Sequence, residues 1–315
     1  MESTAQFPEV SEKSGLYESF FLRAVSPDEP VGIWIRYTVQ KAPNEQPAGS
    51  VWCTIFDGRL GKPYMHRVTT DELSAPTGGW LAIGDASIRA GTADGSSGDA
   101  RWSLRFHPLA PDLHHFRPEW LYRAPVPRTK LTSPAPIASF DGRVSLAGRD
   151  PIELTAWPGM VGHNWGSEHA ERWIWLSGLS FEEDSTAWLD VAIGRLRIGP
   201  WLSPWIANGA VAFGGRRYRL GGLGARGLRV VETSSGCEVQ IPGTRGRKLH
   251  LRATVPEHSA AHWRYVDPDA EGSQGGHEVM NCSIARLDLD VRVPGATQPV
   301  GLTTDHGGTY ELGSL

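Results

Sequence analysis

Apolar and polar residues alternate along much of this chain, and this period of two constrains its fold more than any other feature. The alternation is clearest over residues 33–39, 101–106 and 286–293. Successive side chains of a β-strand point to opposite faces, so these segments are typical of strands with one buried face. Helical periodicity is scarce, and Pro118 limits the best stretch, residues 111–122, to a turn or two. The sequence therefore predicts an all-β fold with very little helix.

The length of the chain and the position of its prolines predict how the strands are divided. A chain of 315 residues exceeds what one hydrophobic core usually serves. Short strands separated by turns are typical of β-sandwiches and β-barrels. Residues 124–136 hold four prolines, which is typical of an extended linker. We therefore expect one β-barrel over residues 1–125 and a second over residues 126–315.

Charge and hydropathy exclude several classes of partner. The chain has 31 Lys and Arg against 35 Asp and Glu, a formal charge of −4, with no long block of like charge. Nucleic acid and anionic membranes are therefore poor partners. We expect no membrane span, because no apolar run is long enough, and no signal peptide, because residues 1–10 are polar and acidic. These features predict a cytoplasmic protein.

Cysteine and histidine spacing gives no support for a metal site. Cys53, Cys237 and Cys282 lie far apart and form no Cys-x-x-Cys pair, so we expect buried free thiols. The histidines include His114 and His115, but none forms a His-x-x-x-His pair. The sequence predicts neither a metal site nor a cofactor.

Two further motifs are weak. Residues 222–227 match G-x-G-x-x-G, but the residues that follow indicate a strand rather than the helix that would hold a pyrophosphate. We interpret them as a hairpin turn. A serine hydrolase is also disfavoured, because the chain has no Gly-x-Ser-x-Gly elbow and no alternation of strands and helices.

Residues 157–190 carry the densest group of aromatic side chains, next to the glycine-rich motif Gly162-His163-Asn164-Trp165-Gly166. We interpret this motif as a bend that leads into the following strand. In that strand Trp173 and Trp175 are two residues apart and therefore share a face. In the next one, Trp188 and Asp190 share a face opposite a purely apolar one.

The location of Asp190 has two possible interpretations. If its face points into a pocket, the carboxyl lies among indole rings, where desolvation raises its pKa and makes it a candidate general acid. If the apolar face points inward instead, Asp190 lies at the surface or pairs with an arginine such as Arg195. The sequence leaves both interpretations open.

Several short motifs resemble the AttH/CrtC lipocalin-like family, which includes carotenoid hydratases, tocopherol cyclases and fungal lipocalin-like Diels–Alderases. The resemblance is carried by residues 17–23, by residues 162–166, by Trp173-Ile174-Trp175 and by residues 204–209. It spans nearly the whole chain and is closest to an uncharacterised bacterial branch. The resemblance implies two consecutive lipocalin-like β-barrels with a hydrophobic ligand pocket.

The resemblance also implies a catalytic acid. In the carotenoid hydratases a His-x-Trp strand precedes a Tyr-x-Asp strand, whose Asp is proposed to protonate a carbon–carbon double bond. The matching segments here are Trp173-Ile174-Trp175 and Trp188-Leu189-Asp190. Trp175 and Asp190 agree with the family, whereas Trp173 and Trp188 replace its His and Tyr. These replacements argue against carotenoid hydration itself.

Our leading hypothesis is an enzyme that hydrates, cyclises or isomerises an apolar unsaturated molecule such as an isoprenoid or polyketide. Asp190 is the candidate general acid, and His163 is the candidate group that orients water or the acid proton. The candidate substrate-binding residues are Glu18, Asn164, Trp165, Trp173, Trp175, Trp188 and Asn208. The competing hypothesis is a non-catalytic lipocalin-like carrier of a lipophilic metabolite. Converging polar groups in the pocket favour chemistry, whereas an entirely apolar pocket favours transport.

Overall fold

The computed structural model describes residues 4–222, 224–268, 276–295 and 297–314. Helical structure in these residues is confined to three short 3-10 turns at Phe7–Glu9, Glu119–Tyr122 and Thr244–Gly246. No described helix has the length and apolar character needed to cross a membrane. The all-β prediction is confirmed. The best helical candidate, residues 111–122, holds a two-residue strand and one of the 3-10 turns.

The first sheet is a nearly closed barrel formed by the first part of the chain. Its strands are β1 (Leu16–Val25), β2 (Val31–Lys41), β3 (Ala48–Asp57), β4 (Tyr64–Thr70), β5 (Leu73–Ser74), β6 (Gly79–Ile83), β7 (Ala86–Arg89), β8 (Thr92–Ser97), β9 (Ala100–Pro108), β10 (Leu113–His114), β11 (Thr129–Leu146) and β12 (Ile152–Gly166). The strand order is β4-β3-β2-β1-β12-β11-β9-β8-β7-β6-β5, and β10 pairs with β11. The first and last strands of this order are therefore successive along the chain.

The second barrel follows directly. Its strands are β13 (Arg172–Gly178), β14 (Trp188–Arg195), β17 (Ile206–Phe213), β18 (Arg216–Gly221), β19 (Arg229–Thr233), β20 (Gly236–Pro242), β21 (Lys248–Thr254), β22 (Ala261–Tyr265), β23 (His277–Arg292) and β24 (Val300–Ser314); β15 (Arg197–Ile198) and β16 (Trp201–Leu202) form a separate hairpin. The order is β18-β17-β14-β13-β24-β23-β21-β20-β19, with β22 on β23. Residues 222–227, predicted to be a turn, lie between β18 and β19; Leu223 among them is outside the described residues.

The division between the two sheets lies later in the chain than the proline-based boundary at residues 125/126. Strands β11 and β12 hydrogen-bond within the first sheet, so the change of sheet occurs between Gly166 and Arg172. Pro134 and Pro136 lie inside β11, at two register shifts in its pairing with β12. Proline has no N–H for a sheet hydrogen bond, and a β-bulge tolerates that loss. Part of the predicted linker is therefore a bulged strand.

The two barrels pack against each other through their outer faces. Along β1, Phe20 and Leu22 belong to the core of the first barrel, whereas Phe21 packs on Trp175 of the second. Every residue of β1 is buried, because one face of the strand fills its own barrel and the other meets the neighbouring barrel. Gly162, paired with Phe21, leaves room for that ring: a Cβ there would lie 2.1 Å from it.

A fully buried arginine crosses this interface. The Arg23 guanidinium donates to Ser177 Oγ at 3.1 Å, to the Gly307 carbonyl at 3.0 Å and to the Ser283 carbonyl at 3.3 Å. Burial lowers its pKa to about 9. These hydrogen bonds fix strand β1 of the first barrel on strands β13, β23 and β24 of the second.

Candidate functional site

An apolar cavity lies between the two barrels. It is a cavity of about 330 Å³, lined by Tyr17 and Phe21 of the first barrel, Trp173 and Trp175 of the second, and residues of the segments that join them. Most of the lining side chains are apolar or aromatic. A cavity of this size and character suits a small apolar ligand.

Two tryptophans of strand β13 form one wall of the cavity. Trp173 and Trp175 share a face because they are two residues apart, as the sequence predicted. The Trp173 ring lies over Gly313 of β24, where a Cβ would come within 2.1 Å of it. The edge of the Trp175 ring meets Phe21, with the ring centroids 5.2 Å apart. The wall is thus formed by rigid side chains that are fixed from both barrels.

One carboxyl group is present among the described residues that line the cavity, and it belongs to Glu311 of β24. Its Oε1 accepts the Trp173 indole N–H at 3.0 Å, and its Oε2 accepts the Asn281 amide at 3.0 Å. The Tyr265 hydroxyl lies 3.4 Å from Oε2. Glu311 is 8% exposed, so this carboxyl reaches the cavity from an almost fully buried position.

A cation also lines the cavity, stacked on the same Tyr265 whose hydroxyl lies near Glu311. The Arg36 guanidinium stacks over the Tyr265 ring at 4.1 Å from its centroid and donates to Ser19 Oγ at 2.6 Å. Arg36 and Tyr265 both line the cavity. Burial raises the pKa of Tyr265 well above its ordinary value, so this residue acts as a neutral hydroxyl. The cavity therefore combines one acid, one guanidinium and one phenol within apolar walls.

His169, in the segment between the barrels, provides a further polar group in the lining. Its ring stacks on Tyr17 at 3.9 Å, and its Nδ1 donates to Asp267 Oδ1 at 2.5 Å. The second oxygen of Asp267 accepts from His277 Nε2 at 3.0 Å. Burial lowers the pKa of His169 to about 4, against the opposing effect of Asp267. His169 is therefore neutral at physiological pH.

The cluster of His169, Asp267 and His277 is also the described group that could hold a divalent metal, since its ligand atoms lie within 4.8 Å of one another. Burial alone would raise the pKa of Asp267, but hydrogen bonds from His169 and His277 outweigh it, and the pKa lies well below its ordinary range. His169 Nδ1 and His277 Nε2 thus each face one oxygen of the ionised Asp267 carboxylate. We interpret the cluster as a hydrogen-bonded triad, because those bonds account for its geometry without a cation.

Asp190 occupies neither of the two positions that the sequence left open. Leu189, Val191 and Ile193 of the same strand fill the second barrel, so Asp190 is on its outer face, but the first barrel covers it completely. Asp190 does not line the cavity. It accepts a hydrogen bond from Trp175, which does.

The raised pKa that we expected of Asp190 in a pocket-facing position does not apply to this location. Burial alone would raise it, but His115, Ser133 and Trp175 together outweigh burial and lower the pKa. Ser133 Oγ donates to Oδ2 at 2.5 Å, Trp175 Nε1 donates to Oδ1 at 3.0 Å, and His115 Nε2 lies 3.3 Å from Oδ1. The carboxylate thus receives donors from both barrels, which favour its ionised form.

Three other candidate residues lie away from the cavity, at one end of the first barrel. His163 Nε2 and Glu18 Oε1 are 2.7 Å apart, and the His163 ring stacks between Phe20 and Trp165. Glu18 also accepts the backbone N–H of Phe7. Burial lowers the pKa of His163, with Glu18 opposing it. His163, Asn164 and Trp165 lie inside strand β12, so the motif predicted to be a bend is the end of a regular strand.

The remaining candidates divide between the cavity and the interface. Asn164 and Asn208 line the cavity together with Trp173 and Trp175. Trp188 lies apart from it, buried against Leu113 and beneath the Arg217 guanidinium, 5.1 Å from the ring. The structure therefore brings four of the nine candidates to the cavity: Asn164, Trp173, Trp175 and Asn208.

Sequence reasoning missed Glu311, Arg36, Tyr265 and His169. Glu311 is 138 residues from Trp173, and the two meet because β24 pairs with β13. The sequence around it, Thr309-Tyr310-Glu311-Leu312, does alternate in polarity. That pattern indicates a strand, but it does not reveal that the polar face is covered by another barrel.

Comparisons with solved structures identify the same architecture in other proteins. A crystal structure of a Nitrosomonas europaea protein assigned as an AttH aligns over 98% of this chain and 96% of its own, with a TM-score of 0.59 at 12% identity. Kievitone hydratase from Nectria haematococca aligns over 95% of this chain and 88% of its own, with a TM-score of 0.56 at 9% identity. No family model and no curated protein sequence matches the chain. The predicted resemblance to AttH-type lipocalin-like proteins is confirmed at the level of the fold.

Proposed function

We propose that this protein is an enzyme that moves a proton to and from an apolar, unsaturated small molecule, with Glu311 as the acid–base group. The observation that carries the proposal is the location of that carboxyl, 8% exposed at the wall of an otherwise largely apolar cavity. A carrier of lipophilic molecules needs no such group, and burying it is costly. A carboxyl so placed is the group that general acid–base chemistry requires.

Hydration is the reaction class that we favour, since a hydratase shares the two-barrel fold. In this reaction protonated Glu311 gives its proton to one carbon of a double bond. Water then adds to the other carbon and returns a proton to the Glu311 carboxylate. The hydrogen bonds from Trp173 and Asn281 hold the carboxyl in one orientation through both steps. The same proton transfers without water capture give an isomerase or a cyclase.

The aromatic walls have two roles in this proposal. They bind the apolar part of the substrate, and the faces of Trp173 and Trp175 stabilise positive charge that develops on protonation, by about 0.5–2 kcal/mol per contact. Asp190 as the acid stays a prediction from the sequence. The cavity favours Glu311, because Glu311 lines it and Asp190 does not.

The test is the activity of Glu311→Gln, which keeps the size of the side chain and removes the ionisable group. Purified protein is incubated in deuterium oxide with a panel of terpenoid alkenes and prenylated phenols. Mass spectrometry detects carbon-bound deuterium and added water. We expect the substitution to reduce product formation by roughly 10²–10⁴-fold. Glu153→Gln, an exposed carboxyl of β12, is the matched control and should act as the wild type.

Two results would contradict the proposal. Product formation by Glu311→Gln within a few-fold of wild type would remove Glu311 from the mechanism. Tight binding of a panel member without any deuterium incorporation by the wild type would instead favour the carrier function. The apolar character of most of the lining supports that second function.

A further inference from the structure

Two segments that adjoin the cavity lining carry most of the exposed large apolar side chains. The described residues include nine large hydrophobic side chains that are exposed: Leu60, Val68, Leu109, Trp120, Val126, Ile198, Trp201, Leu202 and Val231. Five of them belong to two short segments, residues 120–126 and the β15–β16 hairpin. We call Trp120, Val126, Ile198, Trp201 and Leu202 the apolar rim.

Both segments of the apolar rim are continuous with the cavity lining. Val126 is itself a lining residue while it is 53% exposed, so the cavity opens beside it. Leu121 and Pro127 of the same segment also line the cavity. On the hairpin side, Leu196 lines the cavity immediately before β15 begins at Arg197. A molecule that enters the cavity therefore passes exposed apolar side chains.

The β15–β16 hairpin does not belong to the sheet of either barrel. Strands β15 and β16 pair with each other and form a sheet of their own in the described structure. Trp201 is 76% exposed there. A tryptophan so exposed in water leaves a large apolar surface unburied, and its indole N–H suits the polar–apolar boundary of a lipid surface.

We infer that the apolar rim docks on the surface of an electrically neutral lipid bilayer, from which the cavity takes up its apolar ligand. Five side chains are far fewer than the roughly 20–30 residues per partner of a stable protein–protein interface, which argues against a second copy of the chain. A shallow insertion of a few aromatic and aliphatic side chains is, by contrast, sufficient for reversible interfacial binding.

The charges around the apolar rim favour neutral lipid over anionic lipid. Arg117 pairs with Glu119, Arg128 with Glu168, and Arg197 with Glu171. These three basic side chains near the rim are therefore neutralised within the protein, Arg123 is an exposed cation without an ion pair in the described structure, and the whole chain carries a formal charge of −4. Attraction to anionic headgroups requires a cluster of unpaired positive charges rather than one. Binding should accordingly depend little on salt.

The test is flotation of the protein with phosphatidylcholine vesicles on a density gradient. We expect the wild type to float with the vesicles and the double variant Ile198→Ser with Trp201→Ser to bind at least about tenfold more weakly, because it loses most of the insertable surface. The matched control is Val231→Ser, which removes an exposed apolar side chain of β19 outside the rim. Circular dichroism verifies that each variant is folded.

This inference rests on the apolar ligand of the proposed function, and the two can fail separately. Glu311→Gln should float as the wild type does, and the double variant should turn over a substrate dissolved without vesicles at the wild-type rate. Wild-type protein that does not float, or a double variant that floats equally well, would overturn the inference. Self-association that the double variant abolishes would overturn it too, by assigning the rim to a second copy.

Discussion

Asp190 and Glu311 are two carboxyl groups on the same outer face of the second barrel, in almost the same local surroundings. Each accepts an indole N–H from strand β13, Asp190 from Trp175 and Glu311 from Trp173, both at 3.0 Å. They differ in what the first barrel places over them. His115 and Ser133 cover Asp190, whereas the cavity opens beside Glu311.

The difference separates a structural carboxylate from a candidate catalytic one. Asp190 has donors from both barrels and no access to the cavity, so its charge holds the interface together. Glu311 has donors from the second barrel and a free approach from the cavity. A carboxyl in an aromatic surrounding is therefore not by itself a functional signal. Access to a ligand decides the function of the group.

The stability of the two truncated variants should show the largest contrast. We expect Asp190→Ala to lower the free energy of unfolding by about 3–5 kcal/mol, because it leaves buried donors from both barrels without their partner. Glu311→Ala should cost about 1 kcal/mol, since water in the cavity can pair with the donors that it leaves. Urea denaturation followed by circular dichroism measures both. Equal losses of unfolding free energy would mean that the cover provided by the first barrel does not increase the contribution of Asp190 to stability.

Acid should distinguish the cavity-lining histidine from Asp190. The pKa of His169 is about 4 in the folded protein and 6.5 unfolded, so the unfolded chain binds the extra proton between these values. Stability from His169 is therefore complete above pH 6.5 and is lost as the pH falls through 4, by about 3 kcal/mol. The pKa of Asp190 is lowered from 3.8, so the stability that Asp190 contributes is present above about pH 3.8 and is lost as the pH falls below it.

The variant His169→Gln isolates the pH-dependent contribution of His169 to stability. Its free energy of unfolding should change less between pH 6.5 and 4 than that of the wild type, because glutamine does not titrate. His262→Gln, an exposed histidine of β22, is the control. Identical pH slopes for His169→Gln and the wild type would contradict the neutral, Asp267-bound state of His169.

Replacing Trp173 or Trp175 by phenylalanine should give the smallest effects. One substitution should mainly change stability and the other mainly turnover. Trp175→Phe removes the donor to Asp190 and should cost about 1 kcal/mol in the free energy of unfolding. Trp173→Phe removes the donor to Glu311 and should reduce turnover by roughly tenfold, with a smaller effect on stability. The reverse result, a turnover defect for Trp175→Phe that Asp190→Asn reproduces while Trp173→Phe has none, would place Asp190 in the chemistry after all.

Local patterns were sufficient to predict the strands and some of the lining. The alternation over residues 33–39 and 101–106 lies in β2 and β9, and the alternation over residues 286–293 lies in β23 up to its end at Arg292. The shared face of Trp173 and Trp175 follows from the same period and holds in the cavity wall. Both predictions depend only on backbone geometry within one strand, which the order of residues determines directly.

Pairing between strands decided the rest. Prolines 134 and 136 indicated a linker, yet a bulge admits them into β11 and moves the boundary between the sheets to residues 166–172. His163 and Asp190 were the candidate catalytic residues. The register of β1 with β12 pairs His163 with Phe20 and brings its ring within hydrogen-bond distance of Glu18, two residues away, and the docking of the barrels covers Asp190. These outcomes depend on contacts between distant segments, which alternation does not encode.

The sequence by itself thus determined that this chain forms strands with two distinct faces, and which residues share a face. Only the tertiary structure decided what each face meets. The sequence of a strand predicts that the outward face of its barrel is exposed to solvent. Burial of that face is caused by a second barrel, which the pattern of one strand does not show. Glu311 and Asp190 present the same pattern along the chain, and the packing of one barrel on the other made one of them inaccessible and left the other beside a cavity.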